Sequence, residues 1–377
     1  MKRFISLMAL VLLVSVSIAQ TSKRTTAYNY LRNGKLDKAL ENIEPCITHE
    51  KTMNDPKTWF YRGNIYLQIA VDTGQYKNLV TNGYKVAYDS YKKALGMEGA
   101  NEFKVDIFSN MNVISEGLLI SGITKFNEKD YTSSYDLFEN AAEVKGEVGV
   151  FDSISYYYAA RSAEELKQFD KARDLYKKVL DGGYTQPDVY GALANCYREL
   201  KDNDNAINTL KEGRELYPSN IQILFAEINF FLATGQSEKA LADLEIAKTL
   251  EPNNATIFFA AGTQYDNAGK YEEAEAAYLR ALEINPTYFD AIYNLGALHV
   301  NQAAKLMEKA NAIPADKEKE YNDMKTAADG VLDRAIPFLE KAHNMDPSDK
   351  NTIRSLKEIY ARKSMLDKVK EMDEKLK

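Results

Sequence analysis

Three prolines at 34-residue intervals constrain the fold of this chain more than any other feature. Pro218, Pro252 and Pro286 end the similar segments Arg-Glu-Leu-Tyr-Pro, Lys-Thr-Leu-Glu-Pro and Leu-Glu-Ile-Asn-Pro. A fixed period of roughly 20 to 50 residues indicates an array of similar units, each packed on its neighbours. The sequence therefore predicts a solenoid.

Small and large residues recur within this period at helical spacing. The small residues at one position of the frame are Ala206, Ala240 and Ala274, and the large residues four positions later are Leu210, Leu244 and Tyr278. Spacings of three and four are typical of helices and not of strands. Breaks such as Asn267-Ala268-Gly269-Lys270 divide each unit in two. Each unit is therefore predicted to be a helix-turn-helix hairpin, which makes the fold class all-α.

On these residues the chain resembles the tetratricopeptide repeat family, and residues 255–288 match the family pattern nearly in full. The resemblance implies a superhelical solenoid over 20–377 with about eight repeats and a C-terminal capping helix pair. The implied repeats are 20–53, 56–101, 115–148, 153–186, 187–220, 221–254, 255–288 and 289–349, and the partial cap is 350–377.

Two of the predicted units carry insertions. The unit at 289–349 has 27 extra residues between His299 and Ala335, in which helix formers flank one breaker at Pro314. We expect a lengthened helical hairpin at about 300–334, which offers a second contact surface to a partner or to another copy of the chain. The unit at 56–101 has 12 extra residues around Asp72 to Gly83, and its glycines favour a loop. Residues 102–114 keep helical spacing into the next unit.

The N-terminal residues have the pattern of a secretory signal. Lys2 and Arg3 precede an apolar stretch from Phe4 to Ala19, which is typical of a signal peptide cleaved before Gln20. This stretch is short against the ~20 residues that span a bilayer. No cysteine precedes Cys46, so no thiol near the cleavage site could take a lipid anchor. We expect residues 1–19 to be removed and the exported chain, without a membrane span, to reside in a bacterial periplasm.

Composition and motifs argue against several other functions. The 48 Lys and Arg against 55 Asp and Glu give a formal charge of −7, which disfavours a nucleic-acid partner. His49, His299 and His343 lack a second ligand at metal-binding spacing, and we interpret them as structural. Phosphate-binding glycine loops and the common nucleophile and zinc-protease motifs are absent from the sequence. The sequence thus predicts a protein that is not an enzyme and needs no cofactor or metal.

Two further residue sets are interpreted as structural. Cys46 and Cys196 lie in distant units and are predicted to be buried and unbridged. The carboxylate pair Glu164-Glu165 is interpreted as part of a solvated face, because acidic residues are abundant in this chain.

The family resemblance also implies a binding surface. The first helix of each unit lines a concave face in this family, and its fifth, ninth and thirteenth residues point inward. The aromatic residues at the fifth position are Phe60, Tyr157, Phe225, Phe259 and Tyr293. The asparagines at the ninth position are Asn64, Asn195 and Asn229, and those at the thirteenth are Asn127, Asn267 and Asn301.

A groove with such a lining suits a protein partner that presents an extended peptide or a helix, because Asn both donates to and accepts from a backbone. The predicted function is a non-enzymatic interaction scaffold of the cell envelope. Two alternatives stay open. The aromatics could simply pack between neighbouring first helices, and the aromatic and amide rows would also suit a carbohydrate-binding component of envelope metabolism.

Overall fold

The structure is a computed structural model that describes residues 22–377, and these residues are all-α. They form eighteen α-helices and two short 3₁₀ turns, with no strand between residues 22 and 377. The all-α prediction is therefore confirmed for this range. The predicted signal peptide, 1–19, lies outside the described residues. No helix within 22–377 is both long enough and apolar enough to cross a membrane.

The helices divide into two compact units, the first ending at Ala206 and the second beginning at Ile207. The helices of the first unit are α1 (22–32), α2 (Leu36–Ile43), α3 (Pro56–Val71), α4 (Gly83–Leu95), α5 (Lys104–Asn127), α6 (Tyr131–Glu147), α7 (Ser153–Glu165), α8 (Phe169–Asp181) and α9 (Pro187–Glu199). The boundary falls inside α10 (Asn203–Leu216).

The second unit continues with four helical hairpins. Its helices are α11 (Ile221–Ala233), α12 (Ser237–Leu250), α13 (Ala255–Asn267), α14 (Tyr271–Ile284), α15 (Phe289–Asn311), α16 (Glu318–Met345), α17 (Lys350–Arg362) and α18 (Leu366–Lys375). In both units a helix packs against its hairpin partner and against the first helix of the next hairpin. First helices also contact each other, as α3 contacts α5 and α13 contacts α15.

Most hairpins turn at a residue in the left-handed backbone conformation. These residues, with φ between 58° and 72°, are Gly34, Lys129, Lys167, Lys201, Gly235, Gly269 and Ser364. Each is the fifteenth residue of a predicted repeat. Between α7 and α8, the N–H of Lys167 donates to the carbonyl of Glu164 and the N–H of Gln168 donates to that of Ala163, both at 2.8 Å. These bonds cap the end of the first helix and reverse the chain within a few residues.

Small residues let the helices of a hairpin approach closely. Ala240 and Ala274 are completely buried. A Cβ at Gly262 would lie 2.7 Å from the ring of Tyr278, which is itself buried. The recurring small positions of the sequence are therefore the places where the facing helix leaves no room for a side chain.

The two insertions have different structures. Residues 300–334 extend α15 and α16, which are joined by a turn at 312–317. Leu306 and Met307 pack against a cluster that includes Val331 and Leu332, whereas residues 314–320 at the tip are exposed. Residues 72–82, between α3 and α4, contain no helix. Residues 104–114 form the first half of α5, so this helix begins before the predicted repeat at 115–148.

Candidate functional site

The predicted site residues lie on the first helices of the hairpins, and we call the exposed surface of these helices the first-helix face. In the first unit it is formed by α1, α3, α5, α7 and α9, and in the second unit by α11, α13, α15 and α17. The two units are described separately below.

A surface cavity of about 420 Å³ opens on the first-helix face of the first unit. We call it the amide cavity. Its lining comes from α1, α3 and α5 and consists of Leu31, Phe60, Asn64, Leu67, Gln68, Asp106, Ser109 and Asn110. Two of the predicted site residues, Phe60 and Asn64, are among them.

The position of Tyr91 organises this cavity. A Cβ at Gly63 would overlap the Tyr91 ring, so the glycine lets the α4 side chain reach across α3. The Tyr91 hydroxyl donates to Oδ1 of Asn64 at 2.7 Å. Nδ2 of Asn110 lies 3.0 Å from Oδ1 of Asn64 and 2.9 Å from the Tyr91 hydroxyl oxygen. Tyr91 is fully buried, and this burial raises its pKa, so the hydroxyl stays protonated.

This network leaves two hydrogen-bonding groups unused. A side-chain amide carries two N–H donors and an oxygen with two lone pairs. The amide NH₂ of Asn64 and the amide oxygen of Asn110 take no part in the bonds with Tyr91. If both amides are turned over, the donor and the acceptor exchange places and the count is unchanged. The pair thus offers one donor and one acceptor from neighbouring helices, the combination that a peptide unit can satisfy.

Phe60 contributes mainly to the core beneath the cavity. It is only 8% exposed, and its ring stacks on Phe103 with a centroid distance of 4.7 Å. It also lies 6.4 Å from the Tyr91 ring. The geometry at Phe60 therefore supports the alternative in which the aromatics pack between neighbouring first helices.

A second polar network joins α7, α8 and α9. Glu164 accepts from the Tyr176 hydroxyl at 2.9 Å and from Nδ2 of Asn195 at 2.8 Å. Oδ1 of Asn195 accepts from Arg198 at 2.6 Å. Both ends of the Asn195 amide are therefore engaged inside the protein. The interpretation of Glu164 as one of a pair of merely solvated carboxylates was wrong, because it bridges two hairpins.

Tyr157 lies beside this network and is half-buried. Its hydroxyl donates to Asp188 at 2.5 Å, and its ring is 5.4 Å from that of Tyr158 and 5.9 Å from that of Tyr184. Burial, with a smaller contribution from Asp188, raises the pKa of Tyr157. The aromatic is thus held in one orientation with part of its ring open to solvent.

In the second unit the aromatic and amide rows differ in exposure. Phe225, Phe259 and Tyr293 are half-buried and pack against the core clusters of their hairpins. The Phe259 ring lies 5.1 Å from that of Tyr288 and 5.9 Å from that of Tyr278. The amide side chains that are exposed are Asn229, Asn267 and Asn301. The aromatics therefore serve both core and surface, while the amides are open to solvent.

Sequence reasoning missed the α5 side of the amide cavity. Asp106, Ser109 and Asn110 lie in the extension before the predicted repeat, outside the 34-residue frame that produced the site positions. Their spacing of three and four residues was the available signal, since it places all three on one helix face.

Two of the histidines, His299 and His343, and both cysteines are buried. His299 is 1% exposed, with Nε2 3.7 Å from a Glu275 oxygen, and burial lowers its pKa. His343 has Nε2 2.7 Å from Nζ of Lys375. Both cysteines are buried outside any disulfide, and burial raises the pKa of Cys196 to about 12. Among the described residues, no group of three or more His, Cys, Asp or Glu could hold a metal ion.

The fold and site define an all-α protein of stacked helical hairpins with an amide-bearing face. Residues 163–228 match the family model of the tetratricopeptide repeat, and residues 262–302 match a second model, described as TPR repeat. Residues 163–228 and 262–302 are therefore tetratricopeptide repeats. Neither matched model describes a family of enzymes.

Several solved structures are similar to this chain. YrrB, described as a TPR protein with an unusual peptide-binding site, is 18% identical, with 47% of this chain and 90% of that chain covered and a TM-score of 0.38. A thermophilic TPR protein from Thermus thermophilus is 22% identical, with coverage of 49% and 98% and a TM-score of 0.38. A TPR repeats protein from Bacteroides fragilis is 22% identical, with coverage of 66% and 98% and a TM-score of 0.30. No curated protein matches the sequence.

Proposed function

We propose that this chain is a non-enzymatic protein-interaction scaffold that binds an extended peptide segment or a partner helix on its first-helix face. The observation that carries the proposal is the amide pair of Asn64 and Asn110. Tyr91 fixes both side chains, so one donor and one acceptor are held on residues that line the cavity. Binding groups that are already oriented lose little entropy when a ligand arrives.

The test is selection of peptides from a displayed library of random nonapeptides with the purified chain. Selected peptides, labelled with fluorescein, are expected to bind the wild type and to lose roughly tenfold in affinity on Asn110→Ala, because a hydrogen-bonding group of the pair is removed. Asn112→Ala is the matched control, since Asn112 lies on the same helix, does not line the cavity and donates to the carbonyl of Phe108. Equal affinity for both variants would contradict the proposed site.

We also propose that the protein resides in the bacterial cell envelope, because the apolar stretch from Phe4 to Ala19 has the pattern of a signal peptide. Expression in a two-membrane bacterium tests this location. The expected product begins at Gln20 and is released with the periplasmic fraction, as mass spectrometry of the intact protein would reveal. An uncleaved chain in the cytoplasmic fraction would contradict it.

A carbohydrate-binding component is the second candidate, because amide and hydroxyl groups line the cavity with an aromatic ring beneath them. The burial of Phe60 weighs against it at this cavity, since the ring has little exposed face on which a sugar could stack. A glycan array separates the two candidates. Binding to glycans that Asn110→Ala abolishes would favour the carbohydrate function over the peptide function.

A further inference from the structure

The amide cavity is asymmetric in charge. Of the eight residues that line it, Asp106 alone is ionisable. Its carboxylate is exposed on α5, one helical turn before Asn110. The negative charge of Asp106 also helps to raise the pKa of Tyr91. Asp106 therefore lies close to the network that fixes the amide pair.

The cavity is also asymmetric in polarity. Leu31 on α1, which is half-buried, supplies aliphatic surface, and Leu67 and Phe60 on α3 are mostly buried beneath the cavity. The polar side chains of the lining lie on α3 and α5. Among them, Gln68 on α3 and Ser109 on α5 are exposed. Apolar surface beside a single carboxylate matches the side chains of Lys and Arg, which bury an aliphatic stem and present a charged head.

We infer that the amide cavity selects a basic residue, Arg or Lys, of the bound peptide, with its charged head at Asp106 and its backbone at the amide pair. The inference rests on the proposed function, because it names the residue type that the peptide must carry. A carboxylate or an acidic side chain would meet the like charge of Asp106 and is disfavoured at this position. The partner is thus expected to present a basic segment to this part of the first-helix face.

The test uses the fluorescein-labelled nonapeptides selected by display on the wild-type chain. Selected sequences are expected to share an enriched Arg or Lys. Replacing that residue by citrulline or norleucine keeps its size and removes its charge, and should weaken binding to the wild type roughly tenfold. The same replacement should have little effect on binding to Asp106→Asn. Such non-additivity shows that the two groups interact directly.

Glu116→Gln is the matched control, because Glu116 is another exposed carboxylate on α5 that does not line the cavity. It should keep the full preference for the basic peptide. Circular dichroism of Asp106→Asn is expected to equal that of the wild type, since the side chain is exposed.

The outcomes distinguish the inference from the proposed function. Peptides that bind through Asn110 but show no basic enrichment, or the same citrulline effect on Asp106→Asn as on the wild type, would overturn the inference alone. A library that yields no binding peptide, or binding that Asn110→Ala leaves unchanged, would overturn the proposed function and the inference with it.

Discussion

Single glycines show how local packing decides whether a side chain is tolerated in these helices. Gly262 and Gly330 both lie inside helices of the second unit, α13 and α16. A Cβ at Gly262 would press on the buried ring of Tyr278, whereas a Cβ at Gly330 would have no described atom within 4 Å beyond the backbone of its own helix and its chain neighbours. The same substitution should therefore have opposite effects at the two positions.

Gly262→Ala should lower the free energy of unfolding by about 1–3 kcal/mol, because the added methyl overpacks the hairpin. Gly330→Ala should raise it by about 0.5–1 kcal/mol, because Ala is the better helix former. Urea unfolding followed by circular dichroism measures both. Two changes of the same sign would show that the packing described at Gly262 is wrong.

The buried acids of the second unit predict a pH dependence. Arg214 on α10 pairs with Glu227 on α11, and Asp243 on α12 has a buried oxygen without a hydrogen bond among the described residues. Burial raises the pKa of Asp243 and of Glu227, while Arg214 opposes the shift in each case. A raised pKa in the folded state means that stability falls as pH rises from about 4, the pKa of the unfolded side chain, through the folded pKa.

Asp243→Asn removes the ionisation and should therefore stabilise the protein more at pH 7 than at pH 4. Urea unfolding at the two pH values measures the difference. Glu238→Gln is the control on the same helix, because Glu238 is exposed, and it should show no such dependence. A gain from Asp243→Asn that is equal at both pH values would contradict the account of this cluster.

At the scale of elements, the hairpin turns repeat one backbone geometry with different residues. Gly occupies the left-handed position in three of the turns described above, at 34, 235 and 269, but Lys occupies it at 129, 167 and 201. An L-residue in this conformation costs roughly 1–2 kcal/mol, and glycine avoids that cost at a smaller loss of chain entropy.

Lys167→Gly and Lys201→Gly should each raise the free energy of unfolding by about 0.5–1 kcal/mol. Lys171→Gly is the control inside α8, where glycine should instead cost about 1 kcal/mol. Thermal and urea unfolding measure all three variants. Destabilisation by the two turn substitutions would mean that the lysine side chains stabilise the turns in a way that the backbone geometry does not explain.

The arm formed by α15 and α16 extends beyond the core of its hairpin. Its tip, at 312–320, is exposed except for half-buried Ile313, and Leu306 and Met307 mark the last contacts with the core cluster on α15. Removing residues 312–320 and joining α15 to α16 by a short glycine turn should change the free energy of unfolding by less than about 1 kcal/mol, because every residue lost except half-buried Ile313 is exposed.

The same deletion tests the second contact surface expected of the arm. Sedimentation at increasing concentration should show self-association of the wild type that the deletion variant lacks. A wild type that stays monomeric, or a deletion variant that associates equally well, would show that the arm does not join two copies of the chain.

The helices could be predicted from sequence because a 34-residue period with spacings of three and four is a local property. Pro314 lies in the turn between α15 and α16, as the sequence predicted. Pro337 lies inside α16, where a proline would by itself predict a break in the helix. The site was only partly predictable. The expectation that the ninth residue of each repeat points inward selected Asn64. It also selected Asn195, whose amide is engaged by Glu164 and Arg198. Such contacts between hairpins cannot be predicted from the 34-residue repeat pattern, because the pattern describes one hairpin at a time.

At the scale of the whole molecule, each compact unit is held together by contacts between neighbouring hairpins. The first helices carry the amide cavity and the exposed asparagines. A ligand is therefore expected to bind to the first-helix face and not to the second helices.

Site-specific photo-crosslinking to a display-selected peptide tests this claim most directly. A benzophenone amino acid is placed at Gln68 or Ser109, which line the amide cavity, and at Glu139 or Lys177, which are exposed on the second helices α6 and α8. The account predicts that the labelled peptide becomes attached at Gln68 and Ser109 and not at the other two positions. Attachment at Glu139 or Lys177 without attachment at the cavity would contradict it.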